Sequence, residues 1–373
     1  MSGATRVFFP CSGLGAEVRG FEAFTRECAA ALAGARGVQV TVFGGGSDLR
    51  PGERETWNLP RTSTAAKALG SILDRDPYFV EQVSFFAGFV GALMSQRPDV
   101  VYFGDLNLGN ACWHWRRVSG QRFKLLYYNG GPTTMPFTRC DVVQQVSPEH
   151  FDSALARGEL RERMFLLPHG ISIAREFSVA RREERLRTRA ALGVPPDRPV
   201  VLSVAALGVS RKRLDFVISE VATMPSRPHL LLLGAETPEA GQVRALAAER
   251  LGDRCTIRTV SREEARAAYR AADAFVLASI GEGFGLAQAE ALDAGLPCVV
   301  HDSPTAAYVG GPHAVRANLQ YAGALAPLLE RALAAGPTGA KERHDYVYEK
   351  FSWDVLKDRY VEMFQGCAAG LRP

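Results

Sequence analysis

ASIGEGFGLAQAEALDAGLPCVV, Ala278 to Val300, is the stretch from which the fold reads. The apolar run Ala274 to Ala278 predicts a buried strand; a glycine-bearing turn follows, and a helix opens near Gly285 and is stopped by Gly295. Glycines at 283 and 285 let backbone approach a ligand closely. The unpaired N–H groups of a first helical turn, with the positive end of the helix dipole, favour an anion there. A phosphate or a polyhydroxyl sugar suits such a place. Glu282 and Glu290 bracket the turn with seven residues between them. Paired glycosidase carboxylates stand roughly 5 to 9.5 Å apart, whereas eight helical steps span about 12 Å. The interval favours two carboxylates that grip separate parts of one long ligand, such as the two sugars of a nucleotide diphosphate sugar. Taken alone, a glutamate pair describes a capped core helix with a solvated face.

The chain has 373 residues, enough for two domains with separate cores. Hydrophobic residues make up 47% and charged residues 23%, the balance of a globular protein. The net charge of +4 is scattered rather than massed, which gives nucleic-acid binding no support. Weak contact of a basic surface with anionic lipid stays open. MSGATRVFFPCSG at the start lacks a signal peptide's basic region and long apolar core, so a cytoplasmic location is expected. Seven widely spaced cysteines show neither a disulfide framework nor metal-ligand spacing. Phe79 to Met94 is the most apolar stretch, with one row at 79, 83, 86, 90 and 93 and a second row at Phe85 and Phe89. This predicts a helix buried on most sides, a membrane-facing helix being the lesser reading.

Along the first half, Arg6 to Pro10 reads as a strand and CSGLGAEVRGFE as a glycine turn into a helix. Gly13 and Gly15 are candidates to present backbone N–H groups to a diphosphate. A second strand, Val38 to Gly44, runs into three glycines, and 47–64 reads as loop. Asp74, Arg75 and Asp76 have the look of a metal-holding carboxylate pattern, but they lie between a helix and Pro77, not at a strand end. Pro98 to Phe103 and Leu125 to Tyr128 read as strands. Asn129 follows the latter, at the strand end where an open parallel sheet places its chemistry, or simply as a turn former before Gly130, Gly131 and Pro132. Trp113, His114 and Trp115 read as an aromatic helix packed on the core. Ser147 and Pro148 start another helix.

From Pro199 the alternation of strand and helix begins again and predicts a second parallel sheet. Its strands fall at 199–204, 230–233 and 255–260, and Ser261 with Glu264 has capping-box spacing. Between the first of these strands and its helix lies SRKRLD, with Arg211, Lys212 and Arg213.

With both glutamates in place, EGFGLAQAE resembles the motif of retaining glycosyltransferases of the GT-B fold, in glycosyltransferase family four (glycosyl transferases group 1). The resemblance is dense from Phe165 to Pro297 and thin over the first half. It implies an α/β protein of two Rossmann-like domains facing across a cleft: 1–172 for the acceptor, 173–350 for the nucleotide sugar, and a closing helix within 351–373, opening with FSW, that returns to the first domain. PHGIS, Pro168 to Ser172, resembles the hinge entry, which makes His169 structural. Lys212 matches the family's pyrophosphate-binding lysine. Ala205 and Ala206 stand where many members have an arginine, and Arg211 is the candidate to take over that charge. Asn129 stands where related enzymes often carry a histidine.

The mechanism implied is electrostatic. Lys212, Arg211 and helix N–H groups stabilise the departing diphosphate; Glu282, with backbone of Gly283, Phe284, Gly285 and Leu286, orients the donor sugar; Glu290 accepts from the ribose hydroxyls; and Val260 meets the base through backbone. The donor, UDP-linked by preference and GDP-linked as an option, is a substrate, and neither cofactor nor metal is expected. The acceptor is a hydroxyl of a sugar, a glycoside, a lipid-linked group or a small molecule. A nucleotide-sugar epimerase of the same architecture and a non-catalytic nucleotide- or partner-binding homologue are the alternatives, which acceptor-dependent release of nucleoside diphosphate would separate.

Overall fold

The structure, a computed structural model, describes residues 3–16, 20–131 and 137–370. Pro132, which follows the Asn129 turn, and residues 17–19 of the first glycine turn lie outside the described residues. The chain forms two compact units, Met1–Gly170 with Trp353–Pro373, and Ile171–Ser352.

The first unit runs β1 (Thr5–Cys11), α1 (Gly20–Leu32), β2 (Val38–Gly44), β3 (Arg54–Glu55), α2 (Thr64–Leu73), α3 (Pro77–Gln96), β4 (Val100–Phe103), α4 (Leu106–Ser119), β5 (Lys124–Asn129), β6 (Val142–Gln145), α5 (Pro148–Ala156) and β7 (Met164–Leu166). Its strands all pair in parallel, in the order β3-β2-β1-β4-β5-β6-β7. Parallel strands buried on both faces need continuous apolar runs, and VVYF of β4 is buried at every position.

The second unit runs α6 (Arg182–Leu192), β8 (Val200–Val204), α7 (Leu214–Ala222), β9 (His229–Leu233), α8 (Ala240–Arg250), β10 (Cys255–Arg258), α9 (Arg262–Ala271), β11 (Ala274–Leu277), α10 (Leu286–Asp293), β12 (Cys298–His301), α11 (Pro304–Gly310), β13 (Ala314–Ala317), α12 (Ala326–Ala335) and α13 (Ala340–Phe351). Its sheet has the order β10-β9-β8-β11-β12-β13, parallel throughout. That is the doubly wound order, in which the direction of winding reverses between the first and fourth strands of the sheet, here β8 and β11. The last helix, α14 (Trp353–Ala369), belongs to the first unit. Its Tyr360 hydroxyl donates to the Pro168 carbonyl at 2.8 Å and accepts from Gln144 Nε2 at 2.9 Å, while Phe364 packs on Phe9 and Tyr102.

Several expectations need correction. The stretch 47–64 contains the short edge strand β3. Strand β10 ends at Arg258, so Val260 lies in the loop beyond it. Helix α3 is not buried on most sides. Of its twenty residues, Val80, Glu81, Gln82, Phe85, Phe89 and Leu93 are buried. The row facing the core is 85, 89 and 93; of the row at 79, 83, 86 and 90, Val83 is exposed, Phe79 and Val90 are half-buried, and Phe86 packs on the edge of the cluster and on Trp115, because a helix laid on a sheet buries one stripe fully and its flanks in part. Asp74 and Asp76 serve as caps: Asp74 closes α2 in the left-handed region, and the Asp76 carboxylate accepts from Tyr78 N to open α3.

Candidate functional site

The loops after β8 and β11 meet because their strands are neighbours in the sheet, with Ala274 opposite Val201 and Phe275 opposite Leu202. They form the switch point of the second sheet, where open α/β sheets bind ligands beyond the strand ends. The β8 loop carries Arg211 and Lys212, and the β11 loop carries Glu282. Lys212 Nζ lies 2.6 Å from Glu282 Oε1, and both side chains are about one-quarter exposed or less (25% and 21%). Ile280 N donates to the Arg211 carbonyl at 3.0 Å, and the Arg211 guanidinium reaches the Gly281 carbonyl at 3.3 Å.

The conformation of the cationic loop is held from both ends. At its start, Gly234 at the end of β9 runs so close that a Cβ there would lie 1.7 Å from the Ala205 carbonyl oxygen. In its middle, the Glu239 carboxylate accepts from Val209 N at 2.7 Å, from Ser210 N at 3.1 Å and from the Ser210 hydroxyl. These bonds hold the Glu239 carboxyl below the usual carboxylate range. At its end, Arg213 takes a left-handed conformation and donates to the Leu319 carbonyl.

Gly285 caps α10 with φ +88° and without a side-chain cap bond, leaving the first turn open toward Glu282. Phe284 is buried, its ring edge-on to Phe351 at 5.2 Å, so at this position the backbone alone faces the turn. A small cavity beside Glu282 is lined by Ser279, Gln288, His301, Ser303 and Thr305 among others. His301 Nδ1 accepts from Leu319 N at 3.2 Å, and burial, then the charge of Arg213, holds its pKa down.

Glu290 lies about one turn along α10, half-buried. Its Oε2 accepts from the Tyr269 hydroxyl at 3.1 Å, and its Oε1 lies 3.3 Å from the Arg262 guanidinium. Burial, then the Glu290 charge, pushes the Tyr269 hydroxyl well up, so it remains a donor. Arg262 follows the Ser261 cap, which ties the Val260 segment to Glu290. The capping box itself forms: the Ser261 hydroxyl accepts from Glu264 N, and the Glu264 carboxylate accepts from Ser261 N.

The fold thus brings Arg211, Lys212, Glu282 and Gly283 to Leu286 to one edge of one sheet, with Glu290 on the same helix. Gly13, Gly15 and Asn129 belong to the first unit. There the carbonyls of Leu14 and Gly15 accept from Gly46 N and Asp48 N, and a Cβ on Gly46 would lie 2.1 Å from Gly15 C, so the two glycine runs are packed backbone to backbone. Asn129 is fully buried and donates to Gln145 Oε1 at 2.8 Å. His169 is buried against Tyr128 and Phe24, a packing position. Tyr269, Arg262 and Glu239 were not read from the sequence; the capping-box serine next to Arg262 was the one signal that pointed near them.

Residues 198–334 match the model of the family described as glycosyl transferases group 1. The matched residues lie within the second unit. Its match spans both loops of the switch point and all of α10. Over 229 residues the chain is 30% identical to D-inositol 3-phosphate glycosyltransferase of Xylanimonas cellulosilytica, covering 54% of this chain and 51% of that protein. The chain therefore spans about half the length of the curated relatives it matches. Among solved structures, sucrose-phosphate synthase from Thermosynechococcus elongatus superposes with a TM-score of 0.79 at 22% identity, covering 98% of this chain and 99% of that one. HepE of Anabaena, in complex with UDP and glucose, gives 0.73 at 16%, covering 97% of this chain and all of that one. At such identities the likeness is one of fold, the GT-B fold with its two Rossmann-like α/β units.

Proposed function

We propose that the chain is a retaining glycosyltransferase that moves a sugar from a nucleoside diphosphate sugar, UDP-linked by preference, to an acceptor hydroxyl. The observation that carries this reading is the Lys212–Glu282 pair at the switch point, set against the uncapped first turn of α10. A diphosphate needs cations and N–H donors, and a sugar needs a carboxylate beside them; this edge supplies both. Lys212, with Arg211, takes the diphosphate oxygens and stabilises the charge that grows as the glycosidic bond breaks. Glu282 and the backbone from Gly283 to Leu286 orient the sugar, and the acceptor oxygen attacks from the face the diphosphate leaves. Glu290, steadied by Tyr269 and Arg262, accepts from the ribose hydroxyls. The family-model match within the second unit supports the transferase class, and the UDP and glucose found with HepE, a protein of like fold, favour a UDP donor. The cationic side chains and helix N–H groups carry the charge, so the reading routes no step through a metal.

The test is the thermal stability of the full chain with UDP, GDP and ADP in turn, for the native protein and Glu290→Ala. A nucleotide at a hundredfold its Kd adds about 2.7 kcal/mol. The expected result is stabilisation by UDP that Glu290→Ala loses while its melting without nucleotide stays close to native. No shift with any of the three would overturn the reading, and a UDP shift retained in the variant would remove the ribose role.

A further inference from the structure

Helix α2 turns an apolar stripe to solvent. Ala65, Ala68, Leu69, Ile72 and Leu73 recur at the i, i+3, i+4, i+7, i+8 spacing of one helix face. All five are exposed, Ile72 at 77%, and the buried residues of the helix are Ala66 and Gly70. The helix packs on α3, which exposes Val83, with Met94 exposed near its end. Trp57, also exposed, is carried by a segment whose backbone lies against α3 at Gly88. Of the fifteen large apolar side chains exposed among the described residues, six fall between 57 and 94, so the exposure is denser here than along the rest of the chain.

Cations border it. Lys67, Arg75 and Arg97 are exposed, and the Arg75 guanidinium stands 5.7 Å from the centre of the Phe79 ring, near the start of α3. Of the acidic groups on these two helices, Glu81 is buried and bonded to Arg61 and the Ser12 hydroxyl, while Asp74 and Asp76, which caps α3, are exposed on either side of Arg75, so Lys67, Arg75 and Arg97 outnumber the exposed carboxylates by one. An anionic lipid surface meets both features, with the apolar stripe in the acyl boundary and the long cationic side chains reaching headgroups.

We propose that the α2–α3 face rests on an anionic membrane surface. By length and composition α3 is apolar enough to cross a bilayer. It does not do so here, because Glu81 is bonded to Ser12 and Arg61, and Phe85 and Phe89 fill the core, so the helix lies on the surface as part of its unit. The proposal does not depend on the transferase reading.

The experiment is flotation of the full chain with vesicles of phosphatidylcholine alone and of phosphatidylcholine mixed with phosphatidylglycerol, for the native protein, for Ile72→Ser with Leu73→Ser, and for Leu160→Ser as a control at an exposed leucine elsewhere. The expected result is binding to the mixed vesicles that salt weakens, that falls about tenfold or more in the double variant, and that the control retains. Native protein that stays in solution with mixed vesicles overturns the proposal, as does a double variant that floats like the native chain. Dimers in light scattering that the double variant dissolves, without vesicle binding, would overturn it in favour of a second copy. Nucleotide-dependent melting of the double variant reports its fold and tests the transferase reading separately.

Discussion

Lys212 and Glu282 are seventy residues apart in sequence and 2.6 Å apart at their charged atoms. Two unit charges at that distance attract by roughly 6 kcal/mol at an effective dielectric of 20. With both side chains partly exposed, desolvation and side-chain entropy return most of that, and a net contribution of about 1 kcal/mol or less is the reasonable figure. Toward a transition state the same cation is worth more, because it is already in place when charge develops. Lys212→Ala is therefore expected to lower kcat roughly 10²- to 10³-fold while changing unfolding free energy by about 1 kcal/mol at most. Steady-state release of nucleoside diphosphate and urea unfolding check the two halves; turnover near the native rate would remove Lys212 from the chemistry. Lys212 was legible because it precedes a helix start in a short cationic run, and Glu282 because of its glycine context. Their contact was not. Glu239, which holds the Lys212 loop by three bonds, carried no sequence signal, since a glutamate at a helix start is ordinary.

Helix α9 is the element through which a local signal reaches the site. Its capping box was readable from Ser261 and Glu264, and the residue after the cap, Arg262, lies against Glu290. Losing the cap hydroxyl costs about 1 kcal/mol and frays the turn that carries Arg262. Ser261→Ala is thus expected to lower the melting temperature by a few degrees and to weaken nucleotide binding as well, by calorimetric titration. A loss of stability with unchanged affinity would show that Arg262 takes no part in holding Glu290 for the ligand. For α3 the reading was partial. Its helical period was plain, but two apolar rows competed for the core, and only the packing of Phe85, Phe89 and Leu93 into the first unit's cluster chose between them.

For the whole molecule, acid sensitivity follows from His229, which opens β9 buried and bonded through Nε2 to Thr256 Oγ1 at 2.9 Å. Burial, then the charge of Arg198, holds its pKa down to about 4, against 6.5 for an unhindered imidazole. The unfolded chain then binds more protons than the folded one between those values, so this contribution is complete above pH 6.5 and is lost as pH falls toward about 4, amounting to at most about 3 kcal/mol. Urea unfolding across that window should show a shallower pH dependence for His229→Gln than for the native chain; equal slopes would refute the assignment. Taken whole, the sequence by itself determined what acts over a few residues: strand and helix periods, the Ser261 box, the Gly285 start and Gly295 stop of α10, and the repeat of strand and helix that means two parallel sheets. The tertiary structure alone decided which loops meet. Strands β8 and β11 lie side by side although β9 and β10 come between them in the chain, and no local pattern encodes that order. It follows from burying both faces of a whole sheet at once, and it is what sets Lys212 against Glu282 and Tyr269 against Glu290.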